Sequence, residues 1–308
     1  MKKLTQLIIL FTLLIASAPE IFSQGKSNDP LSRVRDLVNS DELIIINSQT
    51  LGSDPNNQNI RARIFDIDLN QSNPDNKFVP KSVQTDSIVT GNKRITVTGG
   101  NFLGGTYKHL AAAWLGANNS IRIMIPQINS GTLTWPSANR ITLPNAIMPA
   151  NRSPKTPVRL ASGDFYGDSK EEFVLGYIGP DSTYKLKLFT VTSGLVPVKG
   201  DSINNEKVAF TGGDKIDAFD IATGDFDGDG FKEIALICVK KLLPSGWAVS
   251  ARIYKINSSG NFVSKGTVNL FTAPSYNISN IQISASAKDF NYDAIDEIAA
   301  GFAFTHSQ

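Results

Sequence analysis

The sequence contains only one cysteine, Cys238, and only two histidines among its 308 residues. A single cysteine cannot form an internal disulfide bond, so other interactions must hold the fold together. His109 and His306 give little material for a zinc centre or for a catalytic group. These absences argue against a disulfide-rich scaffold and against a zinc enzyme.

A strong excess of charge is also lacking, since 30 Lys and Arg residues oppose 28 Asp and Glu residues and the formal net charge is +2. The sequence has no block of basic residues interleaved with aromatic residues, which is the pattern typical of nucleic-acid-binding surfaces. We therefore expect no nucleic-acid partner.

Long hydrophobic runs are confined to the N-terminus, where two lysines precede an apolar run from Leu7 to Ala18. That run has the length of a signal-peptide core and is too short for a comfortable membrane span. We predict a signal peptide over residues 1–23, a linker or degenerate strand over 24–40, and no membrane span in the mature chain. Export predicts a secreted, extracellular or cell-surface location, with the periplasm as the alternative.

What the sequence does contain is an internal repeat. A 15-residue segment that begins at Ala161 recurs at Ala222 and at Ser286, and a decayed copy begins at Thr98. The phenylalanine shared by the four copies lies at positions 102, 165, 226 and 290, at separations of 63, 61 and 64 residues. Such a regular period indicates repeated structural units.

Two further markers follow the same period. An alternating strand is predicted in four repeats, over Arg61–Asp68, Ser120–Pro126, Tyr184–Val191 and Ser250–Ile256. Residues 41–47 resemble residues 232–238, which places Glu42 one period before His109 and indicates a still earlier, damaged repeat. Residues 41–308 therefore touch five repeat units.

Each period predicts four short strands that are rich in Val, Ile, Thr and aromatic residues and are separated by Gly, Asn, Ser and Pro. Four strands per repeat are typical of a propeller blade, so we predict an all-β fold and a β-propeller over residues 41–308. The period of about 63 residues exceeds the ~40–50 of common propeller repeats, and surface loops such as 52–59 and 144–157 account for the excess. A tandem of small sandwiches is disfavoured, because one period supplies too few strands for two sheets.

The copy at Ala222 carries a carboxylate-rich loop, in which Asp225, Asp227, Asp229 and Glu233 occupy relative positions 1, 3, 5 and 9. Calcium takes six to eight oxygen ligands at roughly 2.3–2.6 Å, and a tight loop can direct alternate side chains and one main-chain carbonyl to a single point. Four carboxylates without a cation would repel one another at neutral pH. An EF-hand would need its glutamate at position 12, which is Leu236. The pattern therefore predicts a calcium-binding turn between two strands.

This loop resembles the Asp-x-Asp-x-Asp-Gly-x-x-Asp/Glu calcium loops of FG-GAP and VCBS repeats, known from the propeller of integrin α subunits. The resemblance covers nearly all of the mature chain. The literal Gly-Ala-Pro of FG-GAP repeats is absent and only residues 176–180 are similar to it, so a VCBS-like subtype fits better. The resemblance implies a calcium-binding propeller that holds one to three Ca2+ ions.

The resemblance also implies three ligand sets that differ in completeness. The most complete set consists of Asp225, Asp227, Asp229, the carbonyl of Phe231 and Glu233. The second consists of Asp289, Asn291, Asp293, the carbonyl of Ile295 and Glu297, with Ala294 straining the turn where the first set has a glycine. The third, in which Tyr166 replaces the ligand at position 3, consists of Asp164, Asp168, the carbonyl of Lys170 and Glu172. The decayed copy has Asn101, Leu103, Gly105 and His109 at ligand positions, and we expect no metal there.

The function that this resemblance implies is that of a binding or scaffolding module for an extracellular protein or glycan, as in cell adhesion, without enzymatic activity. The alternative is the propeller portion of a secreted polysaccharide-degrading enzyme such as a lyase. The last repeat stops after its second strand, and integrin-like propellers usually close with seven blades. We therefore expect an incomplete, open ring, with further blades or domains C-terminal to this chain.

A few other residues have two interpretations. Trp114, Trp135 and Trp247 could stack on sugars, but packing between blades is the commoner role of such side chains. Cys238 lies within a predicted strand, where we expect a buried and unreactive thiol.

Overall fold

A computed structural model of the chain describes residues 42–50, 57–67, 78–89, 95–105, 109–115, 120–129, 132–134, 136, 139–146, 158–181, 183–207, 219–241, 247–273 and 278–306. The predicted signal peptide and the predicted linker over 24–40 lie outside these residues. The described residues all belong to one unit, Leu31–Gln308. They form strands and turns without an α-helix, which confirms the all-β prediction. In particular, they include no helix with the length and apolar character that crossing a membrane requires.

The strands are numbered in chain order and form five successive sheets. The first sheet consists of β1 (Glu42–Thr50), β2 (Asn57–Ile67) and β3 (Phe78–Val89). The second consists of β4 (Ile95–Gly100), β5 (His109–Leu115), β6 (Ile121–Met124) and β9 (Arg140–Leu143), and between β6 and β9 the chain forms a separate hairpin of β7 (Gln127–Asn129) and β8 (Thr132–Thr134). The third consists of β10 (Arg159–Gly163), β11 (Glu172–Ile178), β12 (Thr183–Val191) and β13 (Pro197–Lys207). The fourth consists of β14 (Phe219–Gly224), β15 (Glu233–Lys241), β16 (Trp247–Ile256) and β17 (Phe262–Ala273), and the fifth consists of β18 (Ile278–Lys288) and β19 (Glu297–His306).

The second, third and fourth sheets have the four antiparallel strands that each period predicts. The alternating strands predicted from the sequence are β2, β6, β12 and β16. The hairpin β7–β8 was not predicted, because its strands have only three residues each and lie in a repeat that is longer than a common blade.

The strand that follows the loop begins at the same repeat position in the second to fifth sheets. β5, β11, β15 and β19 begin at His109, Glu172, Glu233 and Glu297, in agreement with the predicted phase of the repeats. β1 begins at Glu42, which is the first described residue, so the position of Glu42 one period before His109 stays a prediction.

Apolar side chains fill the space between successive sheets from the second to the fifth. One cluster lies between the second and third sheets, another between the third and fourth, and another between the fourth and fifth. β11 is buried along its whole length, because Phe173 contacts one cluster and Val174 contacts the next. Burial of both faces explains why the sequence of this strand is a continuous apolar run.

The first strands of the second to fifth sheets, β4, β10, β14 and β18, are neighbours in that order. The Ser162 hydroxyl on β10 donates to the Gly99 carbonyl on β4 at 2.6 Å, and the Thr223 hydroxyl on β14 donates to the Ser162 carbonyl at 2.5 Å. The Asp220 carboxylate on β14 accepts from the Ala285 N–H at 2.8 Å and lies 3.0 Å from Nε of Arg159. One acidic side chain therefore links β10, β14 and β18.

The phenylalanines that mark the second, third and fourth repeats, Phe102, Phe165 and Phe226, contribute to these clusters. Phe102 and Phe165 are 2% and 1% exposed, whereas Phe290 in the fifth sheet's loop is 37% exposed. Trp114 and Cys238 are also buried, as expected of core residues. The side chains of Trp135 and Trp247 lie outside the described part of the structure.

Replacement of Asp220 by alanine should lower the free energy of unfolding by about 1–3 kcal/mol, because a buried N–H and a guanidinium lose their acceptor. The matched control is Asp181→Ala, whose carboxylate pairs with Lys185 and is 49% exposed. That change should cost less than about 1 kcal/mol. Urea denaturation measures both values, and equal losses would contradict the linking role of Asp220.

Candidate metal centre

Three hairpin loops connect the first and second strands of the third, fourth and fifth sheets. They cover residues 164–172, 225–233 and 289–297, and they are called here the 164 loop, the 225 loop and the 289 loop. Positions are numbered 1 to 9 from the first aspartate, so position 9 is the glutamate that begins the next strand.

The carboxylate at position 1 closes each loop. Asp164 accepts hydrogen bonds from the N–H groups of positions 4, 5 and 6 at 2.6, 3.2 and 2.9 Å. Asp225 accepts the same three bonds at 2.7, 3.1 and 2.8 Å. Asp289 accepts from positions 5 and 6 at 3.1 and 2.9 Å. Because an ionised carboxylate is a strong acceptor, these bonds hold the turn in one conformation.

Positions 4 and 6 have a left-handed backbone in all three loops. The φ angles are +71° and +66° at Gly167 and Ser169, +75° and +87° at Gly228 and Gly230, and +62° and +69° at Tyr292 and Ala294. Glycine adopts this conformation readily, whereas the backbone of a residue that has a Cβ is strained by it. The strain expected at Ala294 is therefore present, and Tyr292 adds to it.

The glutamate at position 9 ties the second strand to the start of the loop. Glu172 and Glu233 are 5% and 1% exposed. Oε2 of Glu172, Glu233 and Glu297 accepts the N–H of position 2 at 3.3, 2.8 and 2.9 Å. Oε1 of Glu233 is buried and accepts no hydrogen bond within the described structure, although Nζ of Lys255 lies 3.4 Å away.

The 225 loop brings three of the predicted ligands together. Carboxylate oxygens of Asp225, Asp227 and Asp229 all lie within 4.8 Å of one another, which leaves them able to share one cation. In the described part of the chain, no other group of three or more His, Cys, Asp or Glu side chains has this spacing. Glu233 lies outside the group, and the acidic ligands predicted in the 164 and 289 loops do not form one.

The residues predicted to offer a main-chain carbonyl share one local geometry. The N–H of position 7 donates to the carboxylate of position 5 in each loop, from Lys170 at 3.0 Å, from Phe231 at 3.1 Å and from Ile295 at 3.0 Å. Position 7 thus belongs to the same turn as the carboxylates, and its role as a ligand stays a prediction.

Two lysines of the fourth sheet lie against the 225 loop. Nζ of Lys255 forms ion pairs with Asp229 and Glu233 and lies 4.9 Å from the centre of the Phe231 ring. Nζ of Lys265 lies 3.2 Å from Asp227. When ionised, the four carboxylates of the loop carry four negative charges, and Lys255 and Lys265 carry two positive charges. Lys232 at position 8 adds a third positive charge, which its ion pair with Asp296 of the next repeat balances. The remaining charge of −2 is that which one calcium ion would balance.

Burial makes the ionised form of the position 9 glutamate unfavourable. Burial, together with the carboxylates of Asp168 and Asp164, raises the pKa of Glu172 to about 8. Burial also raises the pKa of Glu233, where Lys255 opposes the shift. The hydrogen bond from Lys255 lowers the pKa of Asp229. A cation beside position 9 would therefore favour the ionised form of its carboxylate.

In the 289 loop, the side-chain amide of Asn291 lies beside the position 9 glutamate, where the 225 loop has Lys255. Nδ2 of Asn291 donates to Asp293 at 3.1 Å and to Oε1 of Glu297 at 2.6 Å. An N–H donor cannot serve as a metal ligand, so Asn291 would have to turn before it could bind a cation through its oxygen.

In the decayed copy, a contact between two rings occupies the place that charged side chains hold in the other loops. His109 at position 9 stacks on Phe102 with ring centres 6.2 Å apart, and burial lowers the pKa of His109. A neutral imidazole there removes the buried charge. The absence of a metal from this copy stays a prediction.

Successive loops are joined by a repeated backbone hydrogen bond. The N–H of position 8 donates to the carbonyl of position 1 in the preceding loop, from Glu171 to Asn101 at 2.9 Å, from Lys232 to Asp164 at 3.1 Å and from Asp296 to Asp225 at 2.7 Å. The side chain of position 7 covers the glycine at position 4 of the preceding loop, with Phe231 over Gly167 and Ile295 over Gly228. The loops therefore form a continuous row.

Sequence reasoning missed two residues that shape the 225 loop, Asp296 and Lys255. The Asp296 carboxylate accepts from the Asp225 N–H at 2.8 Å and from Nζ of Lys232 at 2.7 Å. Burial alone would raise the pKa of Asp296, but these bonds lower it below its usual value. A charged residue at position 8 of every loop was the available signal. Lys255 could have been found from the strand register, which pairs Ile234 with Tyr254 and so places Lys255 beside Glu233.

No family model and no curated protein matches this chain. Among solved structures, the chain is similar to AofleA from Arthrobotrys oligospora, with a TM-score of 0.39 at 10% identity over 75% of this chain and 60% of that chain. A mutant of AofleA with three arginines changed to alanine gives a TM-score of 0.39 at 11% identity over 77% of this chain and 61% of the other. The chain thus spans about three fifths of the length of these structures, and similarity at this level does not assign a family.

In protein freed of divalent cations, stability should fall as the pH rises between 4.5 and about 8, because the folded state raises the pKa of Glu172 across that range. The folded protein then holds the proton more tightly than the unfolded chain does, so this contribution is complete below the unfolded pKa and is lost as the pH passes the folded pKa. Glu172→Gln should reduce the slope, measured by urea denaturation at several pH values. Glu171→Gln is the matched control, and an unchanged slope in the Glu172 variant would contradict the assignment.

Proposed function

We propose that this chain is a calcium-binding β-propeller of the FG-GAP and VCBS type that acts, after export, as a binding or scaffolding module and not as an enzyme. The observation that carries the proposal is the convergence of Asp225, Asp227 and Asp229 in a turn that also contains the buried Glu233. Neither histidine nor cysteine takes part, and an all-oxygen ligand set is the one that calcium prefers.

The residues of the 225 loop fit this ion in charge as well as in ligand type. The three aspartates, the buried Glu233 and the carbonyl of Phe231 would hold it. The carboxylates of the loop and of Asp296, counted together with Lys232, Lys255 and Lys265, leave a residual charge of −2. Bound calcium would supply positive charge that cross-links the turn to β15. The 289 and 164 loops are proposed as weaker sites, because Asn291 donates hydrogen bonds there and Tyr166 stands at position 3 of the 164 loop.

The arrangement of the sheets supports the propeller. In a propeller the first strands of successive blades are neighbours, and apolar side chains fill the space between blades. Both features occur from the second to the fifth sheet. The first sheet contributes three described strands and the fifth contributes two.

The proposed partner is an extracellular protein or a glycan. A cavity of about 480 Å³ beside the 225 loop supports a ligand, because Tyr166 and Phe231 offer aromatic surfaces and Lys255 and Lys265 offer charge. Binding of the purified chain to a glycan array, with and without calcium, tests this partner class. Release of unsaturated oligosaccharides from an acidic polysaccharide would instead favour the alternative, the propeller portion of a lyase.

Calcium should stabilise the folded chain by about 2.7 kcal/mol at one hundred times its dissociation constant, because it binds only the native state. Chelation should therefore lower the melting temperature. Asp227→Ala should remove one bound ion, whereas Leu103→Ala, at the same position of the decayed copy, should leave the metal content unchanged. Scanning fluorimetry and elemental analysis measure these outcomes. Identical melting curves with and without EDTA, together with no bound metal, would overturn the proposal.

A further inference from the structure

We propose that Lys255 is a tethered counter-ion that competes with calcium for the 225 loop and so raises the calcium concentration at which the loop fills. This inference rests on the proposed calcium binding and adds a regulatory residue to that site. It assigns a function to a side chain that is not itself a metal ligand.

The contacts of Lys255 define the competition. Its ammonium group forms ion pairs with Asp229 and with Oε1 of Glu233, at positions 5 and 9 of the loop. Both side chains are predicted calcium ligands, and Oε1 of Glu233 is the carboxylate oxygen left free by the hydrogen bond to Phe226. If calcium bound the same oxygens, it would lie close enough to the ammonium group for the two positive charges to repel each other strongly. Binding of calcium should therefore displace the ammonium group from these oxygens.

The groups around Lys255 can accommodate its amine after calcium displaces it. Lys255 lines the cavity of about 480 Å³, together with Tyr166, Phe231 and Val263. The Phe231 ring already lies 4.9 Å from Nζ, within the distance at which an aromatic face attracts a cation. The lysine can therefore leave the carboxylates without losing all of its favourable contacts.

The 164 loop does not have this arrangement. The pairing of Ile234 with Tyr254 corresponds to the pairing of Phe173 with Phe189, so Lys255 corresponds to Thr190 in the third sheet. A threonine carries no charge and is too short to act as a tethered cation. Lys265 differs as well, since its described ion pair is with Asp227, at position 3, and its side chain is 44% exposed.

Lys255→Met tests the proposal because it keeps the length of the side chain and removes its charge. In this variant the dissociation constant for calcium should fall about fivefold, the factor expected for loss of a partly exposed ion pair. The melting temperature in EDTA should also fall, because Asp229 and Glu233 lose their only described lysine contact. A lysine with a merely structural role would weaken calcium binding and stability together, so the opposite directions identify a competitor.

Calorimetric titration with calcium chloride gives the affinity, and scanning fluorimetry in EDTA gives the stability. Lys255→Arg should not bind calcium more tightly than the wild type, because the positive charge remains and a guanidinium pairs with carboxylates at least as well as an ammonium group does. Lys185→Met, whose partner Asp181 lies outside the loop, should leave calcium binding unchanged. Unchanged or weaker calcium binding in Lys255→Met would overturn the inference alone, whereas no calcium binding in the wild type would overturn the proposed function.

A measurement on the unaltered chain covers the case in which Lys255→Met does not fold. Acetylation of Lys255 by a small acylating reagent, followed by peptide mass spectrometry, should be several-fold faster in calcium than in EDTA, because the amine leaves its carboxylate partners. Acetylation of Lys185 should be equally fast in both. Equal or slower acetylation of Lys255 in calcium, at a concentration where calorimetry shows binding, would contradict the competition.

Discussion

The structure depends on burying Glu172 and Glu233, the glutamates that begin the second strands of the third and fourth sheets. Oε2 of each accepts the N–H of position 2, which joins strand and loop, and each of these strands lies between two apolar clusters. A buried carboxylate is costly unless a cation or hydrogen bonds compensate. The 164 and 225 loops meet this requirement differently. Lys255 lies beside Glu233, whereas the pKa of Glu172 is raised to about 8. One calcium ion in each loop would compensate the charge of the position 9 carboxylate in the same way.

Hydrogen bonds between successive loops make the geometry of one loop depend on the next repeat. Each position 8 N–H binds the carbonyl of position 1 in the preceding loop, and the Asp296 carboxylate also holds the N–H of Asp225. A ligand of one loop is thus positioned by the next repeat. A chain with a single cysteine has no disulfide to connect its sheets. The contacts between first strands, the apolar clusters and the row of loops make these connections instead.

The repeat allowed much of the fold to be predicted from sequence. The all-β class, the number of strands in a full sheet and the start of each second strand follow from residues that recur at fixed spacing. The strain at Ala294 also follows, because glycine holds that position in the 225 loop. The hairpin β7–β8 could not be predicted, since it occurs in one repeat only. Lys255 and Asp296 were missed because they reach the 225 loop from another strand and from the next repeat, and a single loop motif contains no information on such contacts.

The most direct test of the account is a crystal structure of the chain grown in calcium. We predict an electron-density peak at roughly 2.3–2.6 Å from oxygens of Asp225, Asp227 and Asp229, with Glu233 and the Phe231 carbonyl completing the site. Nζ of Lys255 should have moved away from Asp229. The account would be contradicted by a structure in saturating calcium that shows no such peak and retains the Lys255 ion pairs with Asp229 and Glu233.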